Sequence, residues 1–145
     1  MKFTEFELND TLLDAVYYAN FDEATEIQAK AIPLILNGHD LIGCAQTGTG
    51  KTAAFVLPML NQLSESNTVG VKALILCPTR ELAIQIDRQV QGLAYFTNAV
   101  CKAVYGGGDG VAWDQEREAL EGGADVIIAT PGRLISHLER GYVKF

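Results

Sequence analysis

The sequence predicts an α/β fold in which a parallel β-sheet is flanked by helices. Short apolar runs typical of strands recur about every 20 to 35 residues: DLIGCA (40–45), KALILC (72–77), CKAVY (101–105) and DVIIAT (125–130). Between them, apolar residues recur at i, i+3, i+4 and i+7, which is the spacing of a helix with one buried face. Strands that are apolar on both faces and alternate with helices favour a parallel sheet with right-handed crossovers.

Three helices are predicted between the strands and two before them. The intervening segments are KTAAFVLPMLNQL (51–63), RELAIQIDRQVQGLAYF (80–96) and VAWDQEREALE (111–121). The first N-terminal helix, 9–19, begins with capping residues and ends before Asn20, which tolerates left-handed backbone geometry. The second, 25–36, begins at Thr25 and has Gln28 three positions later, the spacing of a capping box. We treat residues 1–39 as a helical attachment to an α/β layer at 40–145.

Composition and charge restrict the class of protein. A chain of 145 residues with 48% hydrophobic and 20% charged residues is expected to fold as one soluble domain. Its formal net charge of −7 excludes a broad basic surface that binds nucleic acid by counterion release alone. Any contact with nucleic acid must therefore be local.

The sequence predicts a cytoplasmic protein that does not enter the membrane. No apolar stretch approaches the roughly 20 residues that a membrane-spanning helix needs, and MKFTEFELND lacks the apolar core of a signal peptide. Cys44, Cys77 and Cys101 are widely spaced among apolar neighbours, which predicts small buried side chains and not a disulfide framework.

The segment AQTGTGKT (45–52) fits a phosphate-binding loop of the form A-x-x-x-x-G-K-T. A predicted strand precedes it and a helix follows, so unpaired amides and the positive end of the helix dipole face one point. Lys51 is expected to reach the β- and γ-phosphates, and the Thr52 hydroxyl to bind Mg²⁺. The candidate phosphate and nucleotide ligands in the loop are Ala45, Gln46, Thr47, Gly48, Thr49, Gly50, Lys51 and Thr52.

Gln28 and two aromatic residues have two interpretations each. The Gln28 carboxamide either closes the capping box on Thr25 or presents a donor and an acceptor to adenine, and on capping chemistry alone the cap is favoured. Phe3 and Phe21 are either core residues or platforms on which a base stacks. None of the three identifies a nucleotide by itself.

Three predicted loops follow strands and should meet at one edge of the sheet. PTREL begins with Pro78, Thr79, Arg80 and Glu81, TPGRL contains Thr130, Pro131, Gly132 and Arg133, and YGGGDG (105–110) includes Gly106 and Gly107. Two of these loops offer a threonine, a helix N-terminus and an arginine, a combination that binds phosphate through amides and a guanidinium group. Each loop is equally compatible with an ordinary capped turn, and each arginine with a surface ion pair, but three such loops at one edge favour an extended sugar-phosphate track.

Together these residues resemble the N-terminal RecA-like domain of DEAD-box ATP-dependent RNA helicases. The similarity runs from Phe3 to about Lys144. FDEATEIQAKAIP resembles the Q motif, AQTGTGKT motif I, PTREL motif Ia, YGG the GG motif and TPGRL motif Ib. The resemblance implies that Gln28 and Phe3 recognise adenine, that Lys51 and Thr52 engage the phosphates of ATP and Mg²⁺, and that the other three motifs contact RNA without base specificity.

The resemblance also implies parts that these 145 residues do not contain. The Asp-Glu-Ala-Asp stretch, the Ser-Ala-Thr motif and a second RecA-like domain with its arginine finger are absent from the sequence. We therefore expect residues 40–145 to lack the strands of those two motifs, and this chain alone not to hydrolyse ATP although the full-length helicase does. Open strand edges would make the isolated piece marginally stable or self-associating.

Two other function classes are compatible with the residues. A different P-loop enzyme, such as a small-molecule kinase or a DNA-directed helicase, predicts no adenine preference through Gln28 and no stimulation by RNA. A non-catalytic nucleic-acid-binding or partner-binding module on the same scaffold predicts no turnover in any context. The combination of Gln28, PTREL and TPGRL favours the RNA helicase.

Overall fold

The computed structural model describes residues 1–107 and 110–145, so the predicted loop at 105–110 lies partly outside the described residues, at Gly108 and Asp109. The chain divides into two compact units. The first comprises residues 1–66 and 89–98, and the second comprises residues 67–88 and 99–145. Each unit is described separately below.

The first unit contains a 3-10 helix at Phe3–Glu5 and the complete helices α1 (Asp10–Tyr18), α2 (Glu26–Leu36) and α3 (Lys51–Ser64), together with residues 89–93 at the end of a later helix. Asn9 caps α1, because its Oδ1 accepts a hydrogen bond from the Leu12 amide at 3.1 Å. The chain leaves α1 through Asn20, whose φ of 60° is left-handed as predicted. Both caps and all three helices were predicted within a few residues of these bounds.

The capping box predicted for α2 is confirmed, and α2 packs against α3. Thr25 Oγ1 accepts from the Gln28 amide, while Gln28 Oε1 accepts from the Thr25 amide at 3.0 Å. The largest fully buried side chains of α1, α2 and α3 are Leu12, Ile32, Val56, Leu57 and Leu60, and Val90, in the 89–98 segment of this unit, is fully buried as well. Their apolar faces form the core that holds the start of α3 in place.

The strand predicted at residues 40–45 does not form, and that prediction is wrong. The segment has no regular secondary structure, and Ile42 is 97% exposed. An apolar run becomes a strand only if neighbouring strands pair with its backbone, and the described strands all lie in the other unit. Cys44, in the same segment, is exposed and not buried as predicted, whereas Cys77 is buried and Cys101 is half-buried.

The second unit contains the predicted parallel sheet. Its strands are β1 (Ala73–Leu76), β2 (Cys101–Val104) and β3 (Val126–Ala129), in the order β1-β3-β2, with β3 paired in parallel to both neighbours. All four residues of β3 are buried, as expected of a central strand. In edge strand β1, half-buried and exposed residues alternate, and Leu74 and Leu76 are 40% and 57% exposed. The prediction that the strands are buried on both faces is therefore wrong for β1.

Three further helices accompany the sheet. They are α4 (Arg80–Leu93), of which residues 80–88 belong to this unit, α5 (Gly110–Glu118) and α6 (Pro131–Leu138), and a π-helical turn at Ala119–Gly123 follows α5. Pro131 occupies the first turn of α6, where its missing N–H removes no hydrogen bond. Among the described residues, no helix has the length and apolar character that crossing a membrane requires.

One carboxylate joins the amino ends of the three strands. Asp125, just before β3, accepts from Lys72 Nζ at 2.6 Å and from the Val100 amide at 2.8 Å. Partial burial raises the pKa of Asp125, but the hydrogen bonds from Lys72 and Val100 and the positive charge of Lys72 outweigh it and leave the pKa below its ordinary value. At the other edge, backbone hydrogen bonds Cys77 N to Ala129 O and Thr130 N to Val104 O place the three carboxyl ends side by side.

Candidate phosphate-binding loop and nucleic-acid interface

The predicted phosphate-binding loop curls over two left-handed glycines. Gly48 and Gly50 have φ of 84° and 77°, and α3 begins directly afterwards at Lys51. Gly50 is the N-cap and carries no side chain, so no side chain caps the first-turn amides of α3. These amides and the helix dipole give the positive concavity that the sequence predicts.

The loop is held in this curl by its own side chains. Lys51 Nζ donates to the Ala45 carbonyl oxygen at 2.8 Å, across the mouth of the loop. Thr49 Oγ1 donates to the Gln46 carbonyl oxygen at 2.6 Å. A phosphate that binds here would exchange a neutral carbonyl partner of Lys51 for an anionic one, which gives a stronger charge-assisted hydrogen bond. The residues therefore fit a polyphosphate.

Gln28 links the first turn of α2 to this loop. Its side chain is buried, 3% exposed, and its Nε2 donates to the Gly50 carbonyl oxygen at 3.1 Å while Oε1 closes the capping box. A Cβ at Gly50 would lie 2.2 Å from Gln28 Nε2, so position 50 requires glycine for space as well as for its φ. The capping interpretation of Gln28 is thus confirmed, and its contact with adenine stays a prediction.

Phe3 and Phe21 are brought together, and Phe3 is in the core. Phe3 is 3% exposed, stacks on Phe21 with ring centroids 5.9 Å apart, and meets Phe6 edge-on at 5.7 Å. Phe21 keeps 38% of its surface exposed. Phe3 is therefore a core residue, which was one of its two predicted roles. Stacking of Phe3 or Phe21 on adenine stays a prediction.

A cavity of about 470 Å³ lies between the start of α2 and the phosphate-binding loop. Its volume lies in the usual range for sites that bind small molecules. Glu26 and Lys30, one helical turn apart, line it and form an exposed ion pair at 2.8 Å. The other lining residues are Thr25, Ile27, Cys44, Ala45, Gln46, Gly48 and Thr49.

The predicted loops of the second unit meet at the carboxyl edge of the sheet, as expected. Thr79 caps α4 by accepting from the Leu82 amide at 3.2 Å. Arg80 Nη1 donates to the Gly106 carbonyl oxygen at 2.9 Å, which joins the loop after β1 to the loop after β2. The residues that PTREL contributes to this edge are all exposed, namely Pro78, Thr79, Arg80 and Glu81.

The loop after β2 requires a glycine beside Arg80. Gly107 has φ of 93°, and a Cβ there would lie 2.0 Å from Arg80 Nη1. Next to it lies a cavity of about 330 Å³, lined by Arg80, Gly106, Gly107 and polar side chains that include Glu116. The close approach of guanidinium and backbone explains the glycine at position 107 without reference to a ligand.

The TPGRL segment presents backbone, but its arginine is already bound. Pro131 and Gly132 are exposed, and no side chain caps α6 at Thr130. Arg133, however, forms a two-point ion pair with Glu116: Nε to Oε1 at 2.8 Å and Nη2 to Oε2 at 3.3 Å. The guanidinium fork predicted to face a phosphate therefore faces a carboxylate of α5.

Sequence reasoning did not identify the residues that surround this ion pair. His137 is fully buried, its Nε2 donates to Glu116 Oε1 at 3.0 Å, and its Nδ1 is hydrogen-bonded to the Tyr142 hydroxyl. Trp113 stacks on the His137 ring at 3.7 Å and lies 4.7 Å from the Arg133 guanidinium. Helical spacing was the available signal, because Trp113 and Glu116 are three apart on α5, and Arg133 and His137 are four apart on α6.

Comparison with known proteins identifies related sequences. The ATP-dependent RNA helicase CshA of Listeria monocytogenes is 45% identical over 143 residues, which is 99% of this chain and 27% of that protein. The probable ATP-dependent RNA helicase ddx27 of Dictyostelium discoideum is 48% identical over 94% of this chain and 17% of its own length. The chain thus spans about a quarter or less of these two relatives.

Solved structures support the predicted RecA-like α/β fold. A crystal structure of a DEAD box protein from Methanococcus jannaschii matches with a TM-score of 0.89 and 38% identity, over 99% of this chain and 38% of that one. The RNA helicase Prp28 from Chaetomium thermophilum, bound to ADP, matches with a TM-score of 0.87 and 43% identity, over 99% and 35% of the two chains. The family model for DEAD/DEAH box helicases matches residues 25–145, and the chain belongs to that family.

Proposed function

We propose that this chain is the nucleotide-binding part of a DEAD-box ATP-dependent RNA helicase that couples ATP binding and hydrolysis to remodelling of RNA duplexes. The proposal includes a second RecA-like domain, Mg²⁺ as cofactor and a cytoplasmic location for the full-length protein. The relatives that are named ATP-dependent RNA helicases support this activity. The observation that carries the proposal is the hydrogen-bonded unit of Gln28 and the phosphate-binding loop.

The amide of Gln28 has hydrogen-bonding capacity beyond its two contacts. A carboxamide has two N–H donors and two carbonyl lone pairs, and the bonds to Gly50 and Thr25 use one of each. The second donor and second acceptor match the N7 and N6 edge of adenine. The same side chain therefore serves as helix cap and as the proposed adenine contact, so the two interpretations of Gln28 do not exclude each other.

Lys51 and Thr52 are the proposed phosphate and metal ligands. Lys51 is the first residue of α3, so its ammonium group and the first-turn amides together supply positive charge at the loop. Thr52 follows it, and its hydroxyl is the proposed ligand of Mg²⁺, which the phosphates of ATP would share. The bound Mg²⁺ would neutralise charge that develops on the transferred phosphoryl group.

Lys51 and Thr52 would bind the phosphates of ATP and stabilise their charge. None of the proposed site residues serves as a general base or positions the attacking water. Phosphoryl transfer to water requires such a group in addition to a phosphate cradle. We therefore expect the 145-residue chain to show no measurable ATP turnover, whereas the full-length protein turns over ATP with RNA present. Steady-state turnover by the 145-residue chain that Lys51→Ala abolishes would contradict this expectation.

The exposed carboxyl edge of the second unit is the proposed RNA-binding surface. The proposed contacts are the exposed PTREL residues, Gly106, Gly107 and the backbone at Thr130–Gly132. Backbone amides bind phosphate and sugar without reading bases, and they need no surplus of basic residues. A chain of net charge −7 is compatible with such a surface.

The decisive experiment measures two quantities in the full-length protein: the affinity for nucleotides in general and the preference for ATP over GTP. We expect Lys51→Ala to abolish binding of both ATP and GTP analogues in an equilibrium fluorescence assay. We expect Gln28→Ala to reduce the preference for ATP over GTP by about tenfold, since one bidentate base contact contributes roughly 1–3 kcal/mol. Gln62→Ala is the matched control, because Gln62 also donates from a helix to a backbone carbonyl, that of Ile35 at 2.8 Å.

The same preparation distinguishes the alternative functions. RNA should stimulate ATP turnover by the unaltered full-length protein, whereas another P-loop enzyme would show turnover without RNA dependence. The proposed function would be refuted if RNA did not change the rate of ATP turnover and Gln28→Ala left the preference for ATP unchanged. Absence of all turnover by the full-length protein would favour a non-catalytic binding module.

A further inference from the structure

Two helices of the second unit are joined by a buried charged cluster, which consists of Trp113 and Glu116 on α5, Arg133 and His137 on α6, and Tyr142. The side chains of Glu116 and Arg133 are only 5% and 16% exposed. Their fork-shaped ion pair is the geometry in which a guanidinium and a carboxylate bind most specifically. The cluster thus satisfies the charge of Glu116 almost entirely within the protein.

Arg133 cannot leave this ion pair without a large cost. If its guanidinium turned outward to a phosphate, the buried Glu116 carboxylate would keep, among the residues that the structure describes, only His137 as a partner, at 3.0 Å. Removing one partner from a buried ion pair is strongly destabilising, because it leaves an uncompensated charge away from water. The Trp113 ring, 4.7 Å from the guanidinium carbon, holds the same conformation by a cation–π contact.

The cluster also fixes the position of α6. Arg133 lies in the first turn of α6 and His137 in the second, and Glu116 bonds to both. Trp113 packs its face against the His137 ring with an interplanar angle of 17°. Beside Arg133, Gly132 is exposed with no atom within 4 Å of the position a Cβ would take, so the backbone before Arg133 is open.

We infer that Arg133 is a positioning residue for RNA binding: its ion pair with Glu116 holds the open backbone at Thr130–Gly132 in place, and the guanidinium itself does not bind the RNA phosphate. This inference rests on the proposed function, since it concerns how the proposed RNA surface is built. It assigns Glu116, a negative residue, a favourable role in binding a negative polymer. Trp113 and His137 support that role by packing.

The salt dependence of RNA binding distinguishes positioning from direct contact. For single strands, each phosphate that a basic residue neutralises contributes about 0.7 to the slope of log affinity against log salt concentration. In the full-length protein with an oligouridine probe, Arg133→Gln should weaken binding by roughly tenfold, about 1.4 kcal/mol, with the slope unchanged. A slope shallower by about 0.7 would mean that the guanidinium contacts phosphate, and would overturn the inference.

Two further variants give opposite expectations for the two roles. Glu116→Gln removes a negative charge, so direct contact by Arg133 predicts equal or tighter RNA binding, whereas positioning predicts binding weakened by a similar factor to Arg133→Gln. Arg133→Lys keeps the positive charge but lacks the guanidinium fork, so positioning predicts that it also weakens binding. Wild-type affinity in Arg133→Lys would overturn the inference, and this variant decides the matter if Glu116→Gln does not fold.

Kinetic constants separate positioning from general damage. In RNA-stimulated ATP turnover, the variants should raise the KM for RNA and leave kcat at saturating RNA and the affinity for ATP unchanged. A fall in ATP affinity equal to the fall in RNA affinity would show a structural defect and would overturn the assignment. If the unaltered protein itself binds no RNA, the proposed function fails, whereas RNA binding with a slope reduced by Arg133→Gln leaves that function intact.

Discussion

Gly50→Ala should loosen the first turn of α2, 22 residues earlier in the chain, and Gly48→Ala should not. Both glycines belong to the phosphate-binding loop and have left-handed φ, of 77° and 84°. An added Cβ would meet Gln28 Nε2 at 2.2 Å from position 50, but would meet nothing within 4 Å from position 48. The pair therefore separates backbone strain from the clash with Gln28.

The expected magnitudes follow from these contacts. Alanine in the left-handed region costs about 1–2 kcal/mol at either position. At position 50 the clash also displaces the buried Gln28 amide, which breaks its bonds to the Gly50 carbonyl and the Thr25 amide. Two hydrogen bonds at about 1 kcal/mol each add roughly 2 kcal/mol, which corresponds to about 30-fold in an equilibrium constant.

Hydrogen exchange of the full-length protein measures this difference locally. The amides of Gln28 and Ala29 in the first turn of α2 are bonded to Thr25 Oγ1 and to the Thr25 carbonyl oxygen, and their exchange reports opening of the turn. We expect Gly50→Ala to speed their exchange about 30-fold more than Gly48→Ala does. Equal acceleration by the two variants would refute the coupling through Gln28, as would a difference that persists when Gln28→Ala is combined with each of them.

Three other outcomes are expected. Asp125→Asn should destabilise the protein at neutral pH by about 2 kcal/mol. Because the native pKa lies below the ordinary value of 3.8, the difference from wild type should disappear as the pH falls below 3.8, measured by urea denaturation at several pH values. Gly107→Ala should displace Arg80 and weaken RNA binding in a titration, while Gly106→Ala, with open space around its Cβ position, should have little effect. Asn9→Ala should lower the free energy of unfolding by about 1–2 kcal/mol in chemical denaturation and Asn9→Asp by less, because an Oδ acceptor caps α1.

Local signals in the sequence predicted the elements that depend on neighbouring residues. The caps at Asn9 and Thr25, the left-handed Asn20 and the start of α3 after Gly50 depend on residues within one helical turn, so spacing alone identifies them. The parallel sheet was equally accessible, since its three strands are apolar runs separated by helical patterns.

The sequence did not predict features that depend on distant partners. Residues 40–45 have a strand-like composition, but a strand also requires a paired neighbour, which a sequence pattern does not specify. The ion pair of Arg133 joins it to a residue 17 positions earlier on another helix, so the motif TPGRL left a phosphate contact and an ion pair both open and did not identify Glu116 as the partner. Likewise, the three-residue spacing from Thr25 to Gln28 predicted the capping box but not the hydrogen bond from Gln28 to Gly50, 22 residues later.

The carboxylate of Asp125 has a mechanical consequence for the sheet. It ties the starts of three strands through contacts that span 53 and 25 residues of sequence, so those ends form one fixed base. The opposite ends continue into turns that contain Pro78, Gly107 and Gly132, which are exposed. We therefore expect the backbone displacements that accompany ligand binding to be smallest at the amino ends of the strands and to increase towards those turns.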